Sequence, residues 1–417
     1  MKKLPAEVVY YLLATAEALF FTTVVTLDMV YQVERVGLNP LQLVLVGTTL
    51  EGMIFLCEVP TGIVADVYSR RLSVVVGYFL MGLGFMLEGS VPKFTAILAA
   101  QVLWGLGYTF TSGATQAWIA DEVGEERSGR VFLRGAQFAQ VGGLVGILVS
   151  TALGSIQINA PIVVGGGLYV LLAGFLALAM PETAFHPTPR EERSSWQQMG
   201  HTLKSGLGLV RQRPALLSLL GIGLFFGLYS EGFDRLWTPH LLQNFTFPAL
   251  GGINTVAWFG IIGVVSRLIT LGGVEIIRRR WDPDDPRRAV IALFGSSLAL
   301  VAALLTFAAS RSFALALAAY WTIAFTRSLN DPYLTAWINR HLESSVRATV
   351  ISMSSQIDAL GQIVAGPILG AVGTLFSVRA AIFTSGLVLA PVLILLARAI
   401  PRETAPTSLS SRGTPDA

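Results

Sequence analysis

The chain has 417 residues, 53% of them hydrophobic and 13% charged, with a net charge of +3. Soluble domains carry about 25% charged residues, so the composition excludes a water-soluble enzyme and indicates a polytopic membrane protein. A single cysteine, Cys57, rules out an intramolecular disulfide, and the four histidines fall outside the long apolar runs, which removes a buried histidine metal site. No cofactor, no metal and no nucleic-acid partner is expected.

From the N-terminus, "MKKLPAEVVYYLLATAEALFF" has the two lysines and apolar stretch of a secretory signal. Glu17 interrupts it, no small-residue cleavage site follows and the run continues to about Val33, so it reads as a first spanning helix. About 20 apolar residues cross the hydrocarbon core. Twelve runs qualify: 8–33, 40–64, 72–90, 94–120, 131–155, 161–181, 215–237, 253–277, 288–308, 312–338, 348–373 and 378–399. The polar, basic stretch 182–214 follows the sixth, and its second part reads as an amphipathic helix lying on the membrane surface. Residues 401–417 read as a disordered cytoplasmic tail. The expected fold is an all-α membrane protein. Its twelve transmembrane helices form two pseudo-symmetric six-helix halves, 1–181 and 215–400, joined by a cytoplasmic linker.

Lysine and arginine placement gives the orientation. With the N-terminus in the cytoplasm, cytoplasmic segments hold 22 of the 29 basic residues and outer loops hold four, Arg35, Lys93, Arg311 and Arg379. Both termini are therefore expected inside the plasma (inner) membrane of the cell. The chain also repeats. A shift of 219 residues lays spans 4 and 5 over spans 10 and 11 without a gap, matching Ala117-Trp118-Ile119 to Ala336-Trp337-Ile338 and Gln137 to Gln356. Two six-helix halves in parallel repeat are the plan of a rocker-switch transporter.

Between spans 2 and 3, Gly62, Asp66, Arg70 and Arg71 form the pattern G-x-x-x-D-x-x-x-R-R. This resembles the signature loop of the major facilitator superfamily, and the twelve spans, the 6+6 halves and the long central loop extend the resemblance over nearly the whole chain. "EVPTG" and "AWIADEVGEERSGRVFLRGAQ" (117–137) look like bacterial exporters of the macrolide-efflux and drug:proton antiporter type. The resemblance implies that Asp66 latches onto span 11 across the halves, with Asp121 and Arg130 completing a charge network; the plainer reading of Arg70 and Arg71 is that they fix topology. Two features depart from the antiporter pattern. Gln101 in "QVLWGLG" (101–107) stands where antiporters carry a span-4 arginine, and span 5 has glycines but no Gly-Pro motif.

A charge at mid-bilayer costs at least ~2.5–3.5 kcal/mol, so each is a functional candidate. In the N-terminal half these are Glu17 and Asp28 on one face of span 1, and Glu51 and Glu58 on one face of span 2. They read as a polar cavity wall or as hydrogen-bonding glue to a neighbouring helix. In the C-terminal half, Glu231, Asp234 and Arg235 cluster in span 7, and Arg327 and Asp331 in span 10 are spaced to pair with each other. Arg267 in span 8 has no acid one turn away, so its expected partner is Asp358 in span 11 or Asp331. The arginines serve either structural ion pairs or substrate contact. Aromatic residues such as Tyr10, Tyr11, Phe20, Phe21, Trp104, Phe225, Phe226 and Tyr229 either line the cavity or pack. The leading reading is a monomeric secondary transporter in the lipid bilayer. It would use inward proton movement, worth roughly 2.3 kcal/mol per 100 mV, to export drugs or other hydrophobic small molecules. Uptake of a metabolite and movement of a lipid or lysolipid are the alternatives. A membrane enzyme finds no support, since no nucleophile elbow, phosphate loop or histidine cluster is present.

Overall fold

The computed structural model describes residues 4–187, 214–248, 254–280, 286–341 and 344–403; within its helices the side chains of 214–216, 274, 276–280, 286–287, 331, 335–341, 344–349, 351–352 and 399–403 lie outside the description. The linker with its expected amphipathic helix and the tail also fall largely outside these residues.

The described chain is helical. The first half contains α1 (Ala6–Glu34), α2 (Pro40–Val67), α3 (Arg70–Ser90), α4 (Phe94–Thr111), α5 (Ala114–Val123), α6 (Glu125–Ile156) and α7 (Ala160–Ala179). The second contains α8 (Pro214–Asn244), α9 (Thr255–Arg280), α10 (Pro286–Ala309), α11 (Phe313–His341), α12 (Ser344–Leu375), α13 (Val378–Leu389) and α14 (Pro391–Glu403). Among the described residues, ten segments are long and apolar enough to cross a membrane. The two remaining long helices, α8 and α11, are the ones that carry Glu231, Asp234 and Arg235, and Arg327 and Asp331. With α4 and α5 forming one span and α13 and α14 another, the twelve expected spans are present.

Local chemistry sets the helix ends. Asn39 caps α2, accepting from the Gln42 backbone while Gln42 reaches back to the Asn39 N–H, and Pro40 occupies the first turn. Ser69 caps α3 and Ser377 caps α13, each hydroxyl accepting from the backbone N–H three residues on. Two expectations change. Span 2 does not end near residue 64: α2 runs through Pro60 and Gly62 to Val67, so Gly62 and Asp66 belong to its last turns and the connection to α3 is only Tyr68 and Ser69. Span 4 is not continuous: it breaks at Gly113, whose φ of 71° suits glycine and ends α4 before α5 begins.

The repeat is legible in the element bounds. Moving Phe94 and Glu125 by 219 residues gives Phe313 and Ser344, the first residues of α11 and α12; Ile156 moves to Leu375, the last residue of α12. The break at Gly113 falls on Pro332, which α11 absorbs without interruption. Packing repeats too. α1 lies against α6 as α8 lies against α12, and α3 against α4 and α7 as α10 against α11 and α13. Each half has its own core, one around Trp118, Tyr169 and Phe85, the other around Tyr229, Phe233 and Phe307.

The halves meet mainly through α2 with α12 and α6 with α9. These contacts gather at the side away from the termini. There the Leu41 N–H donates to Thr374 Oγ1 at 2.9 Å, and Leu27, Val30 and Phe259 form a small shared core with Trp237 and Val256. That side is sealed. On the other side Leu56, Tyr68 and Leu133 are exposed.

Candidate transport cavity and its charged lining

Behind the seal lies a buried ion pair. Arg235 Nε donates to Glu231 Oε1 at 3.0 Å along α8, with 14% and 4% of the side chains exposed. Gly47 of α2 approaches so closely that a Cβ there would overlap both groups, and Gly366 of α12 packs on the Glu231 side chain. The pair is therefore held between two helices of opposite halves.

One turn along, Asp234 turns the other way. Arg327 of α11 forms a bidentate pair with it, the second bond (Nη2 to Oδ2) measuring 2.9 Å, and lies 5.9 Å from the Tyr229 ring centroid. The span-7 charges thus divide between two roles. Among the described residues Arg327 pairs with Asp234 across the helix interface; the expected pairing with Asp331 lies outside them. The pair of Arg327 and Asp234 lines a cavity of about 420 Å³ with Phe226, Tyr229, Ser230, Asn330, Ser354, Ser355, Asp358 and Gln362. Ser296 donates to Asn330 Oδ1 at 2.7 Å, and Gln362 donates to Asp358 Oδ2 at 2.8 Å. Glu51, half-buried on α2, is within electrostatic reach of Glu231, Arg235, Asp358 and Asp234. The structure therefore brings Glu51, Glu231, Asp234, Arg235, Arg327 and Asp358 into one region, where the halves meet.

Arg267 departs from expectation. It sits on α9 against the backbone of Gly143 in α6, and neither Asp358 nor any other acid pairs with it among the described residues. Its side chain is half-buried, and its Nε is buried without a partner among the described residues.

The N-terminal acids separate. Glu17 is half-buried beside the phenols of Tyr78 and Tyr169, which stack at 5.8 Å within the core of that half. Phe20, Phe21 and Trp104 also pack in this core, whereas Phe226 and Tyr229 line the cavity. Glu58 is exposed on α2. Asp28 is buried against α3 and meets Glu88, a residue the sequence reading did not single out. Glu88 lies near the end of the apolar run 72–90. The signal available was Asp28 and Gln32 one turn apart, with Gln101 a further polar residue in an apolar span.

At the other end of the bundle, Arg70 pairs with Asp121 and donates to the Ala117 carbonyl. Arg71 donates to the Ala177 carbonyl, and its backbone N–H donates to Glu182 at 2.9 Å, the same carboxylate that accepts from Ser69 at 2.7 Å. The α2–α3 turn is tied to α5 and to the chain after α7, all within one half. Arg130 is exposed, and neither it nor Asp66 has an ion-pair partner among the described residues; of the expected network of Asp66, Asp121 and Arg130, Asp121 is paired, with Arg70 instead.

The sequence pattern of the Major Facilitator Superfamily matches residues 9–281. The chain belongs to this superfamily. A membrane transporter for small molecules, and not an enzyme, is what that membership and the fold establish. An uncharacterised MFS-type transporter, YxaM, of Bacillus subtilis (strain 168) is 23% identical over 342 residues, covering 82% of each chain. An alpha-ketoglutarate permease of the same organism is 21% identical over 234 residues, 49% of this chain and 53% of its own. Among solved structures, the nucleoside transporter NupG in a mutant form superposes with a TM-score of 0.77 at 13% identity, covering 96% of this chain and 100% of its own. A POT family transporter in complex with 5-aminolevulinic acid gives 0.72 at 12% identity, covering 96% of each.

Proposed function

We propose that the protein is a proton-coupled exporter of small organic compounds carrying a basic nitrogen, working by alternating access as a monomer in the plasma (inner) membrane with both termini in the cytoplasm. The observation that carries the reading is the charge of the cavity: among the described residues Asp234 and Asp358 line it with one arginine, Arg327, and Glu51 lies nearby, while Glu231 and Arg235 offset each other. Such a surplus of acid attracts a cation and repels an anion. Phe226 and Tyr229 add ring faces for an organic cation. The permease for alpha-ketoglutarate named above does not lend its substrate to this cavity, because a dicarboxylate would meet that same acid surplus. The polar lining of Ser230, Asn330, Ser354 and Gln362 favours a second reading, uptake of a hydrogen-bonding metabolite.

In the proposed orientation the sealed side faces outward, so the state described is inward-facing. Glu51 and Glu17 are the proposed proton-responsive acids: neutralising a buried carboxylate removes the cost of its charge and biases the equilibrium between states. Asp66 is proposed to latch the opposite state by meeting the start of α12. The test is ethidium flux in proteoliposomes under an imposed proton gradient, for wild type, Glu17→Gln and Glu51→Gln. Gradient-driven ethidium movement that falls at least roughly tenfold in one variant supports the reading. Ethidium left unmoved while a nucleoside or dicarboxylate is carried, or unchanged pH dependence in both variants, sinks it.

A further inference from the structure

At the sealed end, Asp28 of α1 and Glu88 of α3 are 5% and 1% exposed. Gln32 Nε2 donates to both, at 3.1 Å to Asp28 Oδ2 and 2.7 Å to Glu88 Oε1, which forces the carboxyls together. Gln101 of α4 donates to the other oxygen of Glu88 at 3.1 Å. Two charged carboxylates bridged by one amide nitrogen in a buried site repel each other, and the donors that reach their oxygens are neutral amides. The cluster is also short of donors. Asp28 Oδ1, Gln32 Oε1 and Gln101 Oε1 are all buried with no donor, although Gln32 and Gln101 are wholly buried. An oxygen-rich, water-excluded nest of this composition calls for a proton.

The charged groups around the pair come from three helices. On α1, the Tyr31 hydroxyl donates to the Glu88 backbone carbonyl at 2.9 Å, and Arg35 lies beyond Tyr31. On α4, Gln101 is neutral. From the opposite half, the positive charge of Arg235 on α8 acts on both carboxyls while held by Glu231. Arg235 reaches them only because α8 packs on α1 and α2 at the seal. When the halves part there, Arg235 withdraws and water enters.

We infer that Asp28 and Glu88 form a proton-binding site that takes up one shared proton as the sealed end closes and gives it up after that end opens. In the open form both carboxyls are hydrated and able to carry charge. In the closed form one proton from the aqueous phase neutralises one carboxylate, and the single remaining charge faces Arg235. Gln101 donates to this acid site from the span-4 position where the antiporter pattern has an arginine. The inference rests on the proton-coupled reading for its place in transport, but it concerns a conformational equilibrium that exists without substrate.

The test uses the full chain in nanodiscs with Cys57→Ser and spin labels at Lys93→Cys and Arg311→Cys, exposed positions in the two halves at the sealed end. Distances are recorded from about pH 5 to about pH 9 in potassium buffer, and infrared difference spectra follow protonated carboxyls. One coupled proton moves the equilibrium by up to about tenfold per pH unit. The expected result is closure on acidification, with a protonated-carboxyl band that disappears in Asp28→Asn and in Glu88→Gln. Both variants should stay closed across the range, while Glu126→Gln, at an exposed position in the first turn of α6, keeps the wild-type response. A wild-type pH response retained in both Asp28→Asn and Glu88→Gln overturns the inference, as does closure that follows sodium at fixed pH. Should the pair titrate as expected while proteoliposomes show no proton-driven flux, the site stands and the transport reading falls.

Discussion

The two acid–arginine pairs whose acids lie one turn apart on α8 differ in what surrounds them. Glu231 and Arg235 are enclosed between halves, whereas 40% and 34% of the Asp234 and Arg327 side chains remain exposed to the cavity. Removing one partner of an enclosed pair leaves a buried charge and costs about 3–5 kcal/mol. An open pair contributes about 0–1 kcal/mol, since water screens it. Glu231→Gln should therefore lower the melting temperature in detergent by several degrees, and Asp234→Asn should leave it nearly unchanged while reducing ethidium flux roughly tenfold or more. Intrinsic tryptophan fluorescence during heating separates the two. Equal destabilisation by both would mean that the cavity pair is structural.

Between elements, the seal depends on how closely α2 and α12 approach. A Cβ at Gly370 would lie 3.0 Å from Leu41 Cα and 3.1 Å from Val44 Cβ. Backbone cannot yield as a flexible side chain can, and overpacking costs about 1–3 kcal/mol, which is about 5- to 150-fold in a two-state equilibrium. Gly370→Leu should thus open the sealed side. A cysteine at Val44, which is fully buried here, should then react with a hydrophilic maleimide at least several-fold faster in a Cys57→Ser background. Unchanged labelling would show that the seam relaxes without opening. This level also marks the limit of what the sequence discloses. Span count, halves and the 219-residue repeat were legible, because apolar length and local capping set helix ends. The break at Gly113 was not, since the apolar run passes through it and only the backbone conformation reveals it. The cluster of Glu231, Asp234 and Arg235 was legible because it runs along one helix, but its division into two pairs was not. Partnerships between Arg327 and Asp234, or Glu88 and Asp28, depend on the rotation of one helix against another, which no local pattern encodes.

At the scale of the whole molecule, the state seen is sealed at one end, and transport requires that end to open while the other closes. Asp66 bears on that balance. It lies in the last turn of α2, half-buried, and makes no hydrogen bond among the described residues. In the opposite state the proposed latch sets it against the N-terminal end of α12, where a carboxylate gains up to ~2 kcal/mol from the helix dipole. An interaction confined to one state acts on the equilibrium in full, by up to about 30-fold. Asp66→Asn should therefore enrich the state described here without altering its stability, because nothing in this state depends on the carboxylate. Arg70→Ala should do the reverse: its bonds to Asp121 and Ala117 lie within one half and persist in both states, so the variant loses stability without moving the balance. Spin labels at Tyr68→Cys, where the native side chain is 71% exposed, and at Arg398→Cys in the opposite half report the distance across the open end. A distance distribution unchanged by Asp66→Asn, or one shifted equally by Arg70→Ala, would remove the latch and leave the motif as a structural tie.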